Sequence, residues 1–331
     1  MTSRAPYCTA LLTVAIPLVC ARAALADSPG AEAPTDASAQ VEEPQHLFAA
    51  PTRADRIGRI MAPVIINGRG PFRLIVDTGA NQSVLTHTVA DMLGLTPSPD
   101  GNVRLTGVTG TSVVPTIKID SLETGDLRQH DLRLAVMRTV SGGAEGILGM
   151  QGFDGKRIKV DFVNDRIEIS DSRGQRAGRD FIALPAKIRF GRLLMVDGRV
   201  GGIKVHAVID TGAERTLGNA VLRDQLLRRK RLPAPPTSAG VIGLTEDEQR
   251  GDAIWTRKIS LGEMTITDVD VIYGDIHVFK VWELENEPAI LVGMDVLGML
   301  HTLIVDYRLK QVQIRIRNED APRRPLIPSQ T

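Results

Sequence analysis

Apolar, β-branched runs of strand length dominate the chain, and glycine punctuates them at short intervals. Met61 to Ile66 and Pro71 to Val76 flank the turn-forming Asn67-Gly68-Arg69-Gly70, which predicts a hairpin. Thr88 to Leu93 reads as a short helix closed by Gly94. Val103 to Val114 carries Gly107-Val108-Thr109-Gly110 at its centre and predicts a second hairpin with a mobile tip. Ile117 to Leu122 and Leu132 to Met137 are further strands, Ser141-Gly142-Gly143 is a loop, and Ile147-Leu148-Gly149 is a short apolar run. Lys159 to Phe162 and Arg166 to Ser170 predict a last hairpin around Asn164-Asp165. The polar, glycine-containing stretch from Ser172 to Asp180 then reads as a linker.

After that linker the pattern starts again. Leu193 to Val200, a Gly201-Gly202 turn and Ile203 to Ile209 repeat the first hairpin. Asn219 to Lys230 reads as a helix with Asn219 as its N-cap, stopped by Pro233. Gly243-Leu244-Thr245 echoes Gly107-Val108-Thr109, Lys258-Ile259-Ser260 echoes Lys118-Ile119-Asp120, and Leu291-Val292-Gly293 echoes Ile147-Leu148-Gly149. Val305-Asp306-Tyr307 echoes Val160-Asp161-Phe162. Both opening hairpins end on one carboxylate followed by a hydroxyl, a glycine and an alanine: Asp77-Thr78-Gly79-Ala80 and Asp210-Thr211-Gly212-Ala213. The step from Asp77 to Gly149 is 72 residues and from Asp210 to Gly293 it is 83. The excess fits a charged, aromatic-bearing insertion between Gly274 and Pro288. A repeat this long is a duplicated domain and not a solenoid, whose units run at roughly 20–50 residues.

Composition narrows the chemistry. The 331 residues are 43% hydrophobic, enough for real cores, and 40 basic residues balance 39 acidic ones. Neither nucleic acid nor an anionic surface is implied as a partner. Arg4, the apolar Ala10 to Cys20 and the small-x-small Ala24-Leu25-Ala26 read as an export signal spanning 1–26, with an uncleaved anchor as the alternative. The stretch is short for a membrane span and contains Pro17, so no stable membrane insertion is expected after cleavage. Both cysteines, Cys8 and Cys20, fall inside it. The exported chain therefore has no thiol for nucleophilic catalysis, disulfides or thiolate metal binding. The remaining divisions are a disordered spacer at 27–52, with order beginning near Arg53, a first lobe at 53–171, the linker at 172–180, a second lobe at 181–317 and a tail at 318–331. The protein is expected in the periplasm or outside the cell.

A strand that delivers a lone carboxylate into a tight turn is costly unless the group is hydrogen-bonded or used. Two such strands suggest two carboxylates brought together. Within about 3 Å of each other they cannot both ionise easily, so they share one proton and supply an acid and a base at once. No His-Glu-x-x-His and no Gly-x-Ser-x-Gly is present, the histidines show no ligand spacing, and neither a metal nor a cofactor is expected.

Apolar-Asp-Thr-Gly-Ala, a glycine-tipped hairpin and a later apolar-apolar-Gly, each found twice and in order, resemble the retroviral-type (retropepsin-like) aspartic proteases over roughly Met61 to Ile316. The resemblance implies a mainly β, bilobal enzyme of two tandem acid-protease lobes about a pseudo-two-fold axis. It implies a peptide or protein substrate and Asp77 and Asp210 as the catalytic pair. Thr78 and Thr211 would bond across the lobe interface, and Gly79 and Gly212 would offer N–H groups to the carboxylates. Gly107, Val108, Thr109 and Gly110 in one copy and Gly243, Leu244 and Thr245 in the other would belong to flaps that close on the substrate. A monomer is expected, with a homodimer building its sites between chains, or an inactive peptide-binding protein of the same fold, as alternatives.

Two departures stand out. Ala80 and Ala213 replace the Ser or Thr found there in pepsin-type enzymes, so the pair should be less acidic. Neither flap holds a tyrosine, and Glu246-Asp247-Glu248 lies near the second tip, which suggests that one flap alone works normally. Arg228-Arg229-Lys230-Arg231 reads as a solvated helix end, and Trp255 and Trp282 suit either substrate pockets or the core.

Overall fold

The computed structural model of the protein describes residues 50–51, 58–98, 101–229, 237–245 and 247–317. The expected export signal, all but the end of the expected spacer, and the tail lie outside the described residues. At the end of the spacer, Ala50–Pro51 pairs with Arg166–Asp171, so strand pairing starts before Arg53. Among the described residues no helix is long and apolar enough to cross a membrane.

The first repeat closes a six-stranded barrel. Its order is Met61–Ile66, Arg69–Val76, Gly146–Leu148, Val84–Thr86, Leu127–Met137 and Thr116–Thr124. The second repeat builds the same ring from Leu193–Val200, Ile203–Ile209, Ala289–Val292, Leu217–Asn219, Met264–Gly274 and Glu248–Leu261, and pairing of Leu193–Val200 with Glu248–Leu261 closes it. The fold is mainly β with two tandem lobes. Alternation drives it: Met61–Ile66 sends Ala62, Val64 and Ile66 inward, while the last residues before each Asp are buried on both faces.

A third sheet welds the lobes together. Lys156–Asp161 of the first repeat pairs antiparallel with Leu300–Asp306 of the second, from Arg157 opposite Asp306 to Asp161 opposite Thr302. Arg166–Asp171 flanks one side, and Gln311–Ile316 with Ile182–Arg189 the other. Ile182–Arg189 also pairs with Leu193–Val200, so this sheet runs directly into the second ring. The echoed aspartates Asp161 and Asp306 terminate these strands. Asp161 accepts from the N–H groups of Val163 and Asn164, and Asp306 from that of Leu309. One hydrophobic cluster runs from Ile60 through Phe153 and Ile158 to Leu303 and Ile314, so the two lobes share a core.

Among the described residues there are four short α-helices: α1 (His87–Leu93), α2 (Ala220–Arg228), α3 (His277–Val281) and α4 (Met294–Leu297). Gly94 closes α1 in the left-handed region at φ 72°, and Asn219 caps α2 by accepting from the Leu222 N–H at 2.9 Å. α2 ends at Arg228, before the expected Lys230. The first turn is tighter than expected: Asn67-Gly68 alone makes it, and Arg69 already pairs with Ile66. Trp282 is a core residue, and the indole N–H of Trp255 donates to Asp268 at 3.0 Å. α3 lies in the expected insertion between Gly274 and Pro288.

Leu303 is fully buried in the shared sheet. Leu303→Ala should cost about 2–5 kcal/mol in denaturant unfolding and keep a single transition. Two separated transitions would show that the lobes unfold independently.

Candidate active site

Each aspartate leaves the buried end of a strand, Asp77 after Arg69–Val76 and Asp210 after Ile203–Ile209. The apolar-apolar-Gly element holds each turn from beside it. The Asp77 N–H donates to the Leu148 carbonyl and the Asp210 N–H to that of Val292, both at 3.1 Å. One residue past each glycine, Met150 and Met294 donate their N–H groups to Ala80 and Ala213, both at 2.8 Å. A side chain at Gly149 would strike the Gln82 backbone, and one at Gly293 the Arg215 backbone. This explains why glycine recurs there.

Residues that sequence reasoning passed over stabilise the same corner. The Gly149 N–H donates to Ser83 Oγ and the Gly293 N–H to Thr216 Oγ1, each at 3.1 Å. Thr216 is bound in turn to Asp295, with its hydroxyl at 2.6 Å from Oδ1. The signal was present, since a hydroxyl residue follows each Asp-Thr-Gly at the same offset.

The two turns are joined by their threonines. The Thr78 hydroxyl donates to the Ile209 carbonyl at 2.6 Å and accepts from the Thr211 N–H at 3.1 Å. Thr211 mirrors it, donating to the Val76 carbonyl at 2.6 Å and accepting from the Thr78 N–H at 3.2 Å. Both threonines are 2% exposed, so these four bonds are shielded from water. Each glycine carries the opposite carboxylate: a Cβ on Gly79 would collide with Asp210, and one on Gly212 with Asp77.

Asp77 and Asp210 thus converge, each carboxylate seated over the glycine of the opposite turn and within electrostatic reach of the other. Asp77 Oδ1 accepts from the Gly79 N–H at 2.8 Å, and Asp210 Oδ1 from the Gly212 and Ala213 N–H groups at 2.9 and 3.1 Å. Burial, reinforced by the charge of Asp77, pushes the Asp210 carboxyl well above its ordinary value. Burial also raises Asp77, opposed by the Gly79 N–H, the contact with Asp210, the Ala80 N–H and the positive charge of Arg59. Both carboxyls of the pair are therefore raised, Asp210 the more strongly.

Over the pair lie two hairpins. Val103–Thr106 and Thr111–Val114 form a separate two-stranded ribbon tipped by Gly107 to Gly110. Thr237–Ile242, which has no clear strand pattern in the sequence, pairs with the start of Glu248–Leu261 and is tipped by Gly243, Leu244 and Thr245. Glu246 lies outside the described residues. The tips meet, with the Gly243 N–H donating to Thr109 Oγ1 at 3.0 Å and Asp247 against Gly110. They also cross: Val108 packs in the second-lobe cluster with Ala213, and Leu244 in the first-lobe cluster with Ala80.

Among the described residues no group of three or more His, Cys, Asp or Glu side chains is arranged to hold a metal ion. A groove of about 630 Å³ on the second lobe, lined by residues such as Asp197, Lys204, His206 and Glu287, contains neither dyad nor flap residues and is not the cleft.

Two β-rings about a pseudo-two-fold axis, each delivering an Asp-Thr-Gly turn to a shared buried centre beneath paired flaps, define a bilobal acid-protease architecture. The aspartyl protease family model matches residues 62–151 and 196–296, one segment in each lobe and more than half of the chain. The chain belongs to this retropepsin-like aspartyl protease family. Comparison with curated proteins finds no match.

Thr211→Val keeps the shape but leaves the Val76 carbonyl and the Thr78 N–H unpaired, and should cost about 1–3 kcal/mol by thermal melting, whereas Thr211→Ser should cost less. Asp210→Asn should raise the melting temperature at neutral pH by a few degrees. A folded-state carboxyl raised above 3.8 penalises folding once the pH exceeds that unfolded value, and not below it. The gain should therefore vanish in melts run below pH 3.8; an unchanged neutral-pH melt would refute burial as the cause.

Proposed function

We propose that the protein is an exported aspartic endopeptidase that hydrolyses peptide bonds in proteins through an Asp77/Asp210 dyad acting on one water. The observation that carries this reading is the convergence of two carboxyl groups, one from each lobe, the Asp210 group buried and the Asp77 group half-buried, each seated over the glycine of the opposite turn with turn N–H groups oriented onto both. Membership of the aspartyl protease family supports protease chemistry in general. The N-terminal signal supports export to the periplasm.

In this mechanism Asp77 starts ionised and Asp210 protonated, in keeping with the larger upward displacement of Asp210. Water attacks the peptide carbonyl carbon as Asp77 takes its proton, and Asp210 gives its proton to the carbonyl oxygen. The product is a neutral gem-diol. Asp77 then protonates the amide nitrogen while Asp210 recovers a proton from a diol hydroxyl. The C–N bond breaks to give an acid and an amine, and the pair returns to its starting state. The substrate lies extended under the flaps as an added strand, and flap closure excludes bulk water from the reaction.

Both halves of this site come from one chain, which supports a monomeric enzyme. Asp77→Asn and Asp210→Asn should each lower kcat on unfolded protein substrates by about 10²–10⁴-fold or more. An equimolar mixture of the two variants should recover nothing, and recovery would mean that sites are built between chains. Unimpaired cleavage by either variant would sink the proposed mechanism. Binding of peptides without cleavage by the intact chain would leave a peptide-binding protein instead.

Ala80 and Ala213 bring no hydroxyl to the carboxylates, and burial raises both. The pH–rate profile should therefore peak nearer neutrality than that of pepsin, whose dyad titrates at about 1.5 and 4.7. A maximum below about pH 3 would refute this.

A further inference from the structure

The insertion of the second repeat has no counterpart in the first. Where the second chain segment turns through α3, the first makes only the short turn Ser141–Gly143 before Gly146–Leu148. Three polar contacts leave the start of α3, and all go to the flaps. The Val278 N–H donates to the Val108 carbonyl, in the tip of the first flap, at 3.0 Å. The His277 ring, through Nε2, meets Thr111 Oγ1 of the same flap at 3.3 Å. The His277 N–H donates to Gln249 Oε1, on the returning strand of the second flap, at 2.8 Å. Beneath these bonds, Val108 packs into a cluster that includes Ile276, Val278, Phe279 and Trp282.

The helix suits the task. It has no side-chain cap, so the N–H groups of its first two residues have no intrahelical partner and are free to serve the flaps. It is braced from within: Phe279 and Trp282 meet edge to face at 6.3 Å, and Lys280 binds Asp275 at 2.9 Å. The flaps need different amounts of help. The second continues directly into a ring strand, since Asp252 is opposite both Ser238 of the flap and Tyr273 of the ring. The first enters its ring through Pro115 and, among the described residues, is a ribbon of four residue pairs hydrogen-bonded to no other strand, and such a ribbon is marginal alone.

We propose that α3 is a shared catch that holds both flaps closed over the dyad, with His277 as the positioning residue that joins them: its ring fixes the first flap and its backbone the second. The catalytic part of this proposal rests on the protease reading; the mechanical part does not. Opening for substrate then means releasing α3. The first flap, which relies on the catch, moves furthest, and the second yields near its tip.

Hydrogen exchange on the full chain tests the proposal without needing turnover. His277→Ala removes the ring and keeps the N–H, so amides of 103–114 should exchange about threefold to tenfold faster while those of 237–249 stay unchanged. His277→Pro removes the N–H as well. Proline is favoured at the first position of a helix, and Ile276 already has the extended backbone (φ −82°, ψ 133°) that a following proline requires. This variant should speed exchange in both flaps and leave the ring strands and the shared sheet as they were. His277→Gln, which keeps the N–H and offers an amide to Thr111, should behave as wild type. Unchanged flaps in His277→Pro, or faster exchange throughout the rings, would overturn the proposal.

With a cleavable peptide, His277→Pro should raise KM by about tenfold while kcat changes less, and His277→Gln should stay within about twofold of wild type. If exchange follows the expected pattern and the wild-type chain cleaves nothing, the catch stands and the protease reading falls.

Discussion

Two carboxyl groups pressed together in a buried place are an unfavourable arrangement, and most of the surrounding structure acts to maintain it. Left to itself, the pair would separate or draw in water. The crossed threonine bonds stop the first, since neither turn can withdraw without stripping partners from Val76 and Ile209. The glycines let each carboxylate sit over the other turn, where any side chain would collide. Behind the turns, Gly149 and Gly293 wedge against Gln82 and Arg215, held by Ser83 and Thr216. Holding two carboxyl groups this close costs stability, and the cores of two rings and a common sheet offset the cost.

The chemistry was legible in the chain because it is local and repeated. Asp-Thr-Gly-Ala occurs twice at the end of an apolar run, and the later apolar-apolar-Gly recurs at comparable distance, so the dyad and its threonines could be named before any coordinates. The hairpins on either side of each Asp were legible for the same reason, since alternation and turn residues act over a few positions. The pairing of Lys156–Asp161 with Leu300–Asp306 was not, because nothing local marks which strand of one repeat meets which strand of the other. Thr237–Ile242 escaped notice because Ser238, Ala239 and Gly240 give it little β character, and only its pairing with Glu248–Leu261 makes it a strand. Ser83 and Thr216 were visible as a recurring hydroxyl, but their purpose appears only when Gly149 and Gly293 fold back onto them.

Duplication gives the molecule near-symmetry, and its individual character lies where the copies diverge. The threonine bonds that join the two Asp-Thr-Gly turns match one for one. The flaps do not. One is a separately paired ribbon that enters its ring through Pro115 and the other pairs along a continuous ring strand, and the extra residues of the second copy are folded against both. Arg59 adds a positive charge on the Asp77 side, while Asp210 is raised further by its neighbour. The equal partners of a symmetric pair thereby acquire unequal parts.

The sheet between the lobes has a consequence for why the two repeats belong on one chain. Its central strands, one from each repeat, lie antiparallel across the pseudo-axis, and the flanking hairpin partners lie outside them. A single repeat would present Lys156–Asp161 as a bare edge, with unpaired N–H and C=O groups inviting a strand of its own kind. Half of this protein is thus shaped to adhere to a copy of itself. Carrying both repeats in one chain makes that pairing intramolecular, a permanent seam that does not depend on concentration.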